Sequence, residues 1–251
     1  MDDPINNKLN ILSVIKHAIS IPILRWKTLS MALLPSGIAM LALDLIYEYG
    51  FVPHNTVTGI IYFLISGVLL VIFAITCHRN FLLGTGSTTK YGVLKWKYRE
   101  WRYAGWVFIA YFYLYVFAVL GMFLAGSLTA LVPGCNNSYY FMALLGITVL
   151  PGIYVFARLS ILFPATAIEH VTTWNWAWDV TEGNGWRLVI IVGFFPAILS
   201  LVPMFLSGIN IVLDIVLLIA SLMLLAIEII ALSVSFDKLT KDHEPHITTT
   251  G

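Results

Sequence analysis

Residues 58–77, TGIIYFLISGVLLVIFAITC, run for twenty positions without one charged side chain. A helix of that length rises about 30 Å, which is the thickness of the hydrocarbon core of a bilayer. Five further windows are long and apolar enough to do the same, although three of them carry one or two charges: 28–47, 105–132, 140–164, 188–206 and 209–236. The chain is 59% hydrophobic and only 11% charged, with a mean hydropathy of +0.89, which is more apolar surface than 251 residues can hide from water in a single core. The expected fold is therefore an all-α integral membrane protein with six transmembrane helices. Only Ser207 and Gly208 separate the last two windows, a spacing that favours an antiparallel hairpin. The six spans accordingly read as three hairpins in one membrane domain.

The cations set the expected orientation. All 14 Lys and Arg fall before the first span, between the second and third, around the connection from the fourth to the fifth, or after the sixth. Segments 48–57 and 125–139 contain none. Cytoplasmic loops carry the excess of Lys and Arg, so both termini are expected in the cytoplasm. The eight tryptophans fall on the same side, while Tyr47, Tyr49, Tyr139 and Tyr140 mark the other interface. On this topology Cys77 and Cys135 lie on opposite sides and cannot form a disulfide. The opening Met1-Asp2-Asp3-Pro4 lacks the basic start of a cleaved signal peptide, so the spans are expected in the mature protein.

Three polar connections read as amphipathic helices lying on the membrane surface. NILSVIKHAIS (10–20) sets Ser13, Lys16, His17 and Ser20 against Leu12, Ile15 and Ile19. KYGVLKWKYREW (90–101) and TTWNWAWDVTEGNGW (172–186) mix aromatics with charges in a similar way. Landmarks recur as well: Trp26, Trp106 and Trp186 are 80 residues apart, and Arg79, Arg158 and Lys238 are 79 and 80 apart. These spacings predict three parallel repeats, 9–80, 90–165 and 172–240, each a surface helix and a hairpin. Residues 239–251 read as a disordered cytoplasmic tail.

Ionisable residues inside spans are the candidate functional groups. Arg158 lies about two turns from the inner end of the fourth span, and Glu228 at matching depth on the sixth. They form a candidate intramembrane ion pair; alternatively, Arg158 snorkels as an inner-leaflet anchor. Asp44 and Asp214 are candidate outer-side acids able to share a proton, although acids near span ends are more commonly hydrated. Arg79, Lys95, Lys97, Arg99, Arg102, Trp186 and Arg187 form an inner rim suited to anionic lipid headgroups. The basic stretch lies between two spans with no nucleic-acid-binding fold around it, so nucleic acid is not expected as a partner. GTGSTTK (84–90) lacks the spacing of a phosphate loop, and DHEPH (242–246) reads more simply as polar tail than as a metal site. No HExxH, GxSxG, CxxC or spaced Ser/His/Asp set occurs, so neither catalysis, cofactor nor metal is expected.

Four stretches carry a resemblance: CHRNFLLG (77–84), YREWRY (98–103), ARLSILFPATAIE (157–169) and AWDVTEGNGWRL (177–188). They resemble bacterial polytopic proteins similar to the membrane domain found beside some glycerophosphodiester phosphodiesterases, and to the related YciC-like inner-membrane proteins. The resemblance implies six helices in the bacterial cytoplasmic membrane. It does not imply hydrolysis, which in those enzymes belongs to a separate soluble barrel. The function expected is non-catalytic, in envelope or lipid homeostasis, with lipids as ligands. The alternatives are a small-molecule or lipid transporter using the buried Asp, Glu and Arg residues, and an assembly partner of another membrane complex.

Overall fold

The computed structural model describes residues 8–50, 52–84, 86–89, 91–93, 95–131, 138–170, 173–206 and 210–241. Cys135, Lys90, the Ser207–Gly208 turn and the DHEPH segment lie outside them. The described residues are helical, apart from turns and one isolated bridge between Thr89 and Gly92. They contain six helical segments long and apolar enough to cross a membrane: Trp26–Glu48, Thr56–Leu82, Tyr98–Leu131, Tyr139–Ala167, Gly185–Leu206 and Val212–Lys241. Each coincides with one of the six apolar windows, so the chain is an all-α multi-pass membrane protein.

Local signals explain where the helices begin. α1 (Ile11–Leu24) starts at Asn10, whose side chain accepts the Ser13 N–H at 3.0 Å. α2 (Trp26–Glu48) follows after a single non-helical residue, Arg25. α3 (Thr56–Leu82) opens with a reciprocal capping box between Asn55 and Thr58. α4 (Tyr98–Leu131) opens differently, because the third helical residue, Glu100, reaches back to accept the Lys97 N–H at 2.7 Å. A carboxylate there also complements the positive end of the helix dipole.

Prolines account for the interruptions. α5 (Ser138–Leu159) stops at Ser160, and α6 (Leu162–Ala167) resumes after it. Pro164 stands four residues beyond Ser160, so it has no N–H for that carbonyl and its ring crowds it. Phe163 donates to the Ser160 carbonyl instead, at 3.0 Å. α7 is Trp174–Val180 and α8 is Gly185–Leu188. A π-helical segment, Val189–Phe194, then joins α8 to α9 (Phe195–Leu206). Its wide turn falls just before Pro196, which cannot donate to Val192. α10 (Ile211–Lys241) completes the chain.

Consecutive spans pack together, α2 on α3, α4 on α5 and α9 on α10, and α10 also packs on α1 and α3. Without a hydrophobic drive in lipid, such contacts depend on close approach of backbones. At Gly152 of α5 an added Cβ would lie 2.6 Å from the Cβ of Phe117 on α4. Only 11% of the apolar window of α4 is buried, so most of its surface is left for acyl chains.

Burial concentrates at one end. All of α6 is buried, as are Ile75, Leu159, Ile161, Leu188, Ile191, Ile230 and Leu239. This is the end where α3, α5 and α10 finish and α4 and α8 begin. Two expectations are corrected here. Residues 91–93 and 95–97 form turns and extended backbone instead of a surface helix, and 98–101 are the first turn of α4. The reason is the Glu100 cap, which starts the helix inside the stretch, together with Gly92 at φ +84° and the bond from the Val93 N–H to Thr76 Oγ1. Similarly, 239–241 are helical and Leu239 is 1% exposed, so these residues do not belong to a tail. Helical readings hold for 11–20 in α1 and for 174–180 in α7.

Candidate functional site

Apart from Ser36 in the middle of α2, the buried polar residues among those described gather at the buried end of the bundle. Thr76, His78, Asn80, Glu100, Ser160, Thr166, Thr181, Asn184, Ser233 and Ser235 are all buried there. Buried polar groups need partners; Ser160 and Ser235 bond to carbonyls of their own segments, Thr166 Oγ1 has none, and others tie separate helices together.

His78 is the centre of one network. Its Nδ1 lies 2.7 Å from Ser233 Oγ on α10, and its Nε2 lies 3.3 Å from the Tyr103 hydroxyl on α4. Ser233 donates its hydroxyl proton to the Ile229 carbonyl at 3.0 Å. It must therefore accept from His78, which places the ring proton on Nδ1 and leaves Nε2 to accept from Tyr103. One neutral tautomer satisfies all three side chains and joins α3, α4 and α10.

A second network surrounds Arg79 and Arg99. Arg79 donates to the Ala167 carbonyl at 3.0 Å and, through Nε and Nη2, to the Ser87 carbonyl at 3.2 and 3.1 Å. Arg99 holds the fully buried Glu100 through Nε at 2.9 Å and through Nη2. Both arginines also reach Oε1 of Glu169, Arg99 at 2.7 Å and Arg79 at 3.4 Å. Glu169 ends α6 in a Schellman motif: its N–H bonds to the Thr166 carbonyl and the His170 N–H to the Ala165 carbonyl, both at 3.0 Å. Glycine is usual at such a position. Glu169 has φ 65°, a left-handed conformation costing a residue with a Cβ about 1 kcal/mol.

Arg158 stands between α5 and α7. It donates through Nε to Thr181 Oγ1 at 2.7 Å, through Nη2 to the Trp178 carbonyl, and through Nη1 to the Tyr154 hydroxyl at 3.4 Å. Its guanidinium carbon lies 3.8 Å from the centre of the Trp178 ring. The Trp178 carbonyl belongs to the last turn of α7, where a cation is favoured by the dipole. The expected Arg158–Glu228 ion pair is not formed. Arg158 turns toward α7, and no ion pair joins it to Glu228 among the described residues. Gly185 lets this corner close, since an added Cβ would come 2.5 Å from the Tyr154 hydroxyl.

Most of the expected lipid rim divides into clamps and free surface. Arg79 and Arg99 have only 14% and 12% of their side chains exposed and hold the fold together. Arg187 reaches Asn184 Oδ1 at 3.3 Å, the same oxygen that accepts the Leu9 N–H at 2.8 Å. Lys95, Lys97 and Trp186 are exposed, and Arg102 is half-buried.

At the opposite end, Asp44 and Asp214 do not share a site. Asp44 accepts from Tyr62 at 2.9 Å and Asp214 from Tyr49 at 3.3 Å. Asp214 instead borders an open cleft of about 480 Å³ with Glu48, Tyr49, Leu217, Leu218 and Ser221. Glu48 had no expected role. Its proximity to Asp214 depends on how α2 meets α10, which hydropathy does not encode.

All four stretches quoted for the resemblance contribute to this end of the bundle: His78, Arg79 and Asn80 from the first, Arg99, Glu100 and Tyr103 from the second, Ser160 and Thr166 from the third with Arg158 and Glu169 at its border, and Thr181 and Asn184 from the fourth. The fold and this layer define a multi-pass membrane protein braced by polar bonds at one end of its bundle. Comparisons with protein-family models, curated proteins and solved structures yield no match. Among the described residues no group of three or more His, Cys, Asp or Glu side chains is placed to hold a metal ion.

Proposed function

We propose that this chain is a non-catalytic protein of the bacterial cytoplasmic membrane, with both termini inside, acting in envelope or lipid homeostasis and contacting anionic phospholipids at its inner rim. One observation carries the reading: the separate stretches that resemble the phosphodiesterase-associated membrane domains and YciC-like proteins meet in a single layer at the Lys- and Arg-rich end. His78, Arg79 and Arg158 in these stretches bond to other elements of the bundle, which suits a scaffold. Around the layer, Lys95, Lys97 and Trp186 remain exposed at the level where headgroups would lie. The test is native mass spectrometry, with lipid identification, on protein gently extracted from its own membrane. A defined anionic lipid retained stoichiometrically supports the proposal; protein that carries no selective lipid refutes it.

A second reading, transport of an amphiphile, is favoured by the cleft near Asp214. Its acids and Ser221 adjoin Leu217 and Leu218, so it offers polar and apolar surfaces to one ligand. Asp214→Asn would abolish uptake or efflux of such a solute in proteoliposomes while leaving folding intact. Unchanged transport would remove this reading.

A further inference from the structure

We infer that Arg79 and Arg99 form a phosphate-binding site that the carboxylate of Glu169 occupies as an internal, displaceable stand-in. The inference deepens the proposed contact with anionic lipid and rests on that reading for its physiological ligand, but its chemistry is read from the site alone.

Three features of the Glu169 contact set it apart from an ordinary structural ion pair. First, both guanidinium groups converge on one oxygen, Oε1, at 2.7 and 3.4 Å. The carboxylate thus meets two forks with a single atom, whereas a phosphate mono- or diester presents at least two free oxygens and can give one to each arginine. Second, the arginines are almost fully sequestered, at 14% and 12% side-chain exposure, while Glu169 is 62% exposed. The cations are built into the protein and the anion lies at its surface, so the anion is the member that can leave. Third, Glu169 holds a left-handed backbone conformation at a helix end where glycine would be at ease. A strained residue whose side chain supplies the local negative charge is spending backbone energy to neutralise this site.

The remaining contacts keep the arginines in place when the anion exchanges. Arg79 stays anchored by the Ser87 and Ala167 carbonyls, and Arg99 by Glu100. Glu100 balances the charge of Arg99, and with Glu169 turned away the positive charge of Arg79 is left for a ligand. Lys95 and Lys97, both exposed in the connection before α4, add attraction for an anion approaching from this side.

The shared chemistry is a phosphate ester or inorganic phosphate, and its source is either a lipid headgroup or solution. The experiment uses the full chain in nanodiscs. Wild type, Glu169→Gln and Glu169→Gly are compared for retention of phosphatidylglycerol against phosphatidylcholine by native mass spectrometry. In parallel, inorganic phosphate is titrated calorimetrically into protein held in phosphatidylcholine alone. Both substitutions remove the competing charge, and Glu169→Gly also relieves the strained backbone, so it decides the matter if Glu169→Gln folds poorly. The expected result is a gain in anion affinity of about tenfold or more in both variants, cancelled by adding Arg79→Gln. A gain confined to phosphatidylglycerol identifies a headgroup site; a gain for inorganic phosphate identifies a soluble anion. Folded variants that bind both ligands no better than wild type overturn the inference and leave Glu169 as a helix cap. Failure of the lipid-homeostasis reading has a different signature, namely wild-type protein that carries no selective lipid out of its native membrane.

Discussion

Replacing Arg158 by alanine should destabilise the folded bundle by about 4 kcal/mol, composed of roughly 1.5 kcal/mol for each of two hydrogen bonds from a charged donor and about 1 kcal/mol for the guanidinium over Trp178. The bonds are those to Thr181 Oγ1 and the Trp178 carbonyl. The low end of the hydrogen-bond range applies because Arg158 is half-buried and water can replace part of what is lost. The Tyr154 contact, at 3.4 Å, is too long to add much. Arg158→Lys keeps the charge but not the fork, so it should lose about half as much. Glu228→Gln should change stability by less than about 0.5 kcal/mol, since it touches no partner of Arg158. Unfolding in mixed micelles, titrated with SDS and followed by circular dichroism, gives the three values on one scale. Adding Trp178→Leu to Arg158→Ala should cost about 1 kcal/mol less than the sum of the separate effects, because the two side chains share one contact. A Glu228→Gln loss equal to that of Arg158→Ala would refute the α5–α7 staple and restore an ion pair between spans. So would an Arg158→Ala protein as stable as wild type, as far as the staple is concerned.

Three further outcomes follow from the packing. Gly152→Val should force α4 and α5 apart at Phe117 and cost about 2 kcal/mol, visible as a lower SDS midpoint; an unchanged midpoint would mean that these helices approach less closely than described. Glu100→Gln should cost about 3 kcal/mol, since it strips the buried partner from Arg99, and the double change with Arg99→Gln should cost less than the sum; full additivity would contradict the pairing. Cys77, buried on α3, should resist alkylation in micelles when Cys135 is replaced by Ser and react only after SDS is added; rapid labelling of native protein would show that the polar end is open to solvent.

The outline of the fold was legible because a bilayer reads sequence almost one residue at a time. A run such as 58–77 has to span, whatever its neighbours do, since transfer of an apolar helix into lipid is close to a sum over its side chains. Local backbone chemistry acts over a similarly short range, yet it was not read in advance: the fourth span was expected unbroken over 140–164, and the structure shows the break before Pro164 and the Asn55–Thr58 cap of α3. What the sequence determined by itself is therefore the number of spans, their approximate ends, and the gathering of cations and tryptophans at one side.

The tertiary structure decided the partners. Depth counting placed Arg158 and Glu228 at one height but carries no information about rotation around each helix, and Arg158 faces α7. Asp44 and Asp214 likewise match in depth and find different tyrosines. The buried layer was hidden for the same reason, since His78, Glu100, Thr181 and Ser233 each resemble ordinary polar residues near a span end. Only when the helices are brought together does water leave these groups, and only then must each find a partner, on another helix for His78, Thr181 and Ser233 and beside it in the chain for Glu100. Lipid solvation is additive along the chain, whereas hydrogen bonding between helices is directional and depends on three-dimensional approach, so the first can be read from sequence and the second had to be seen.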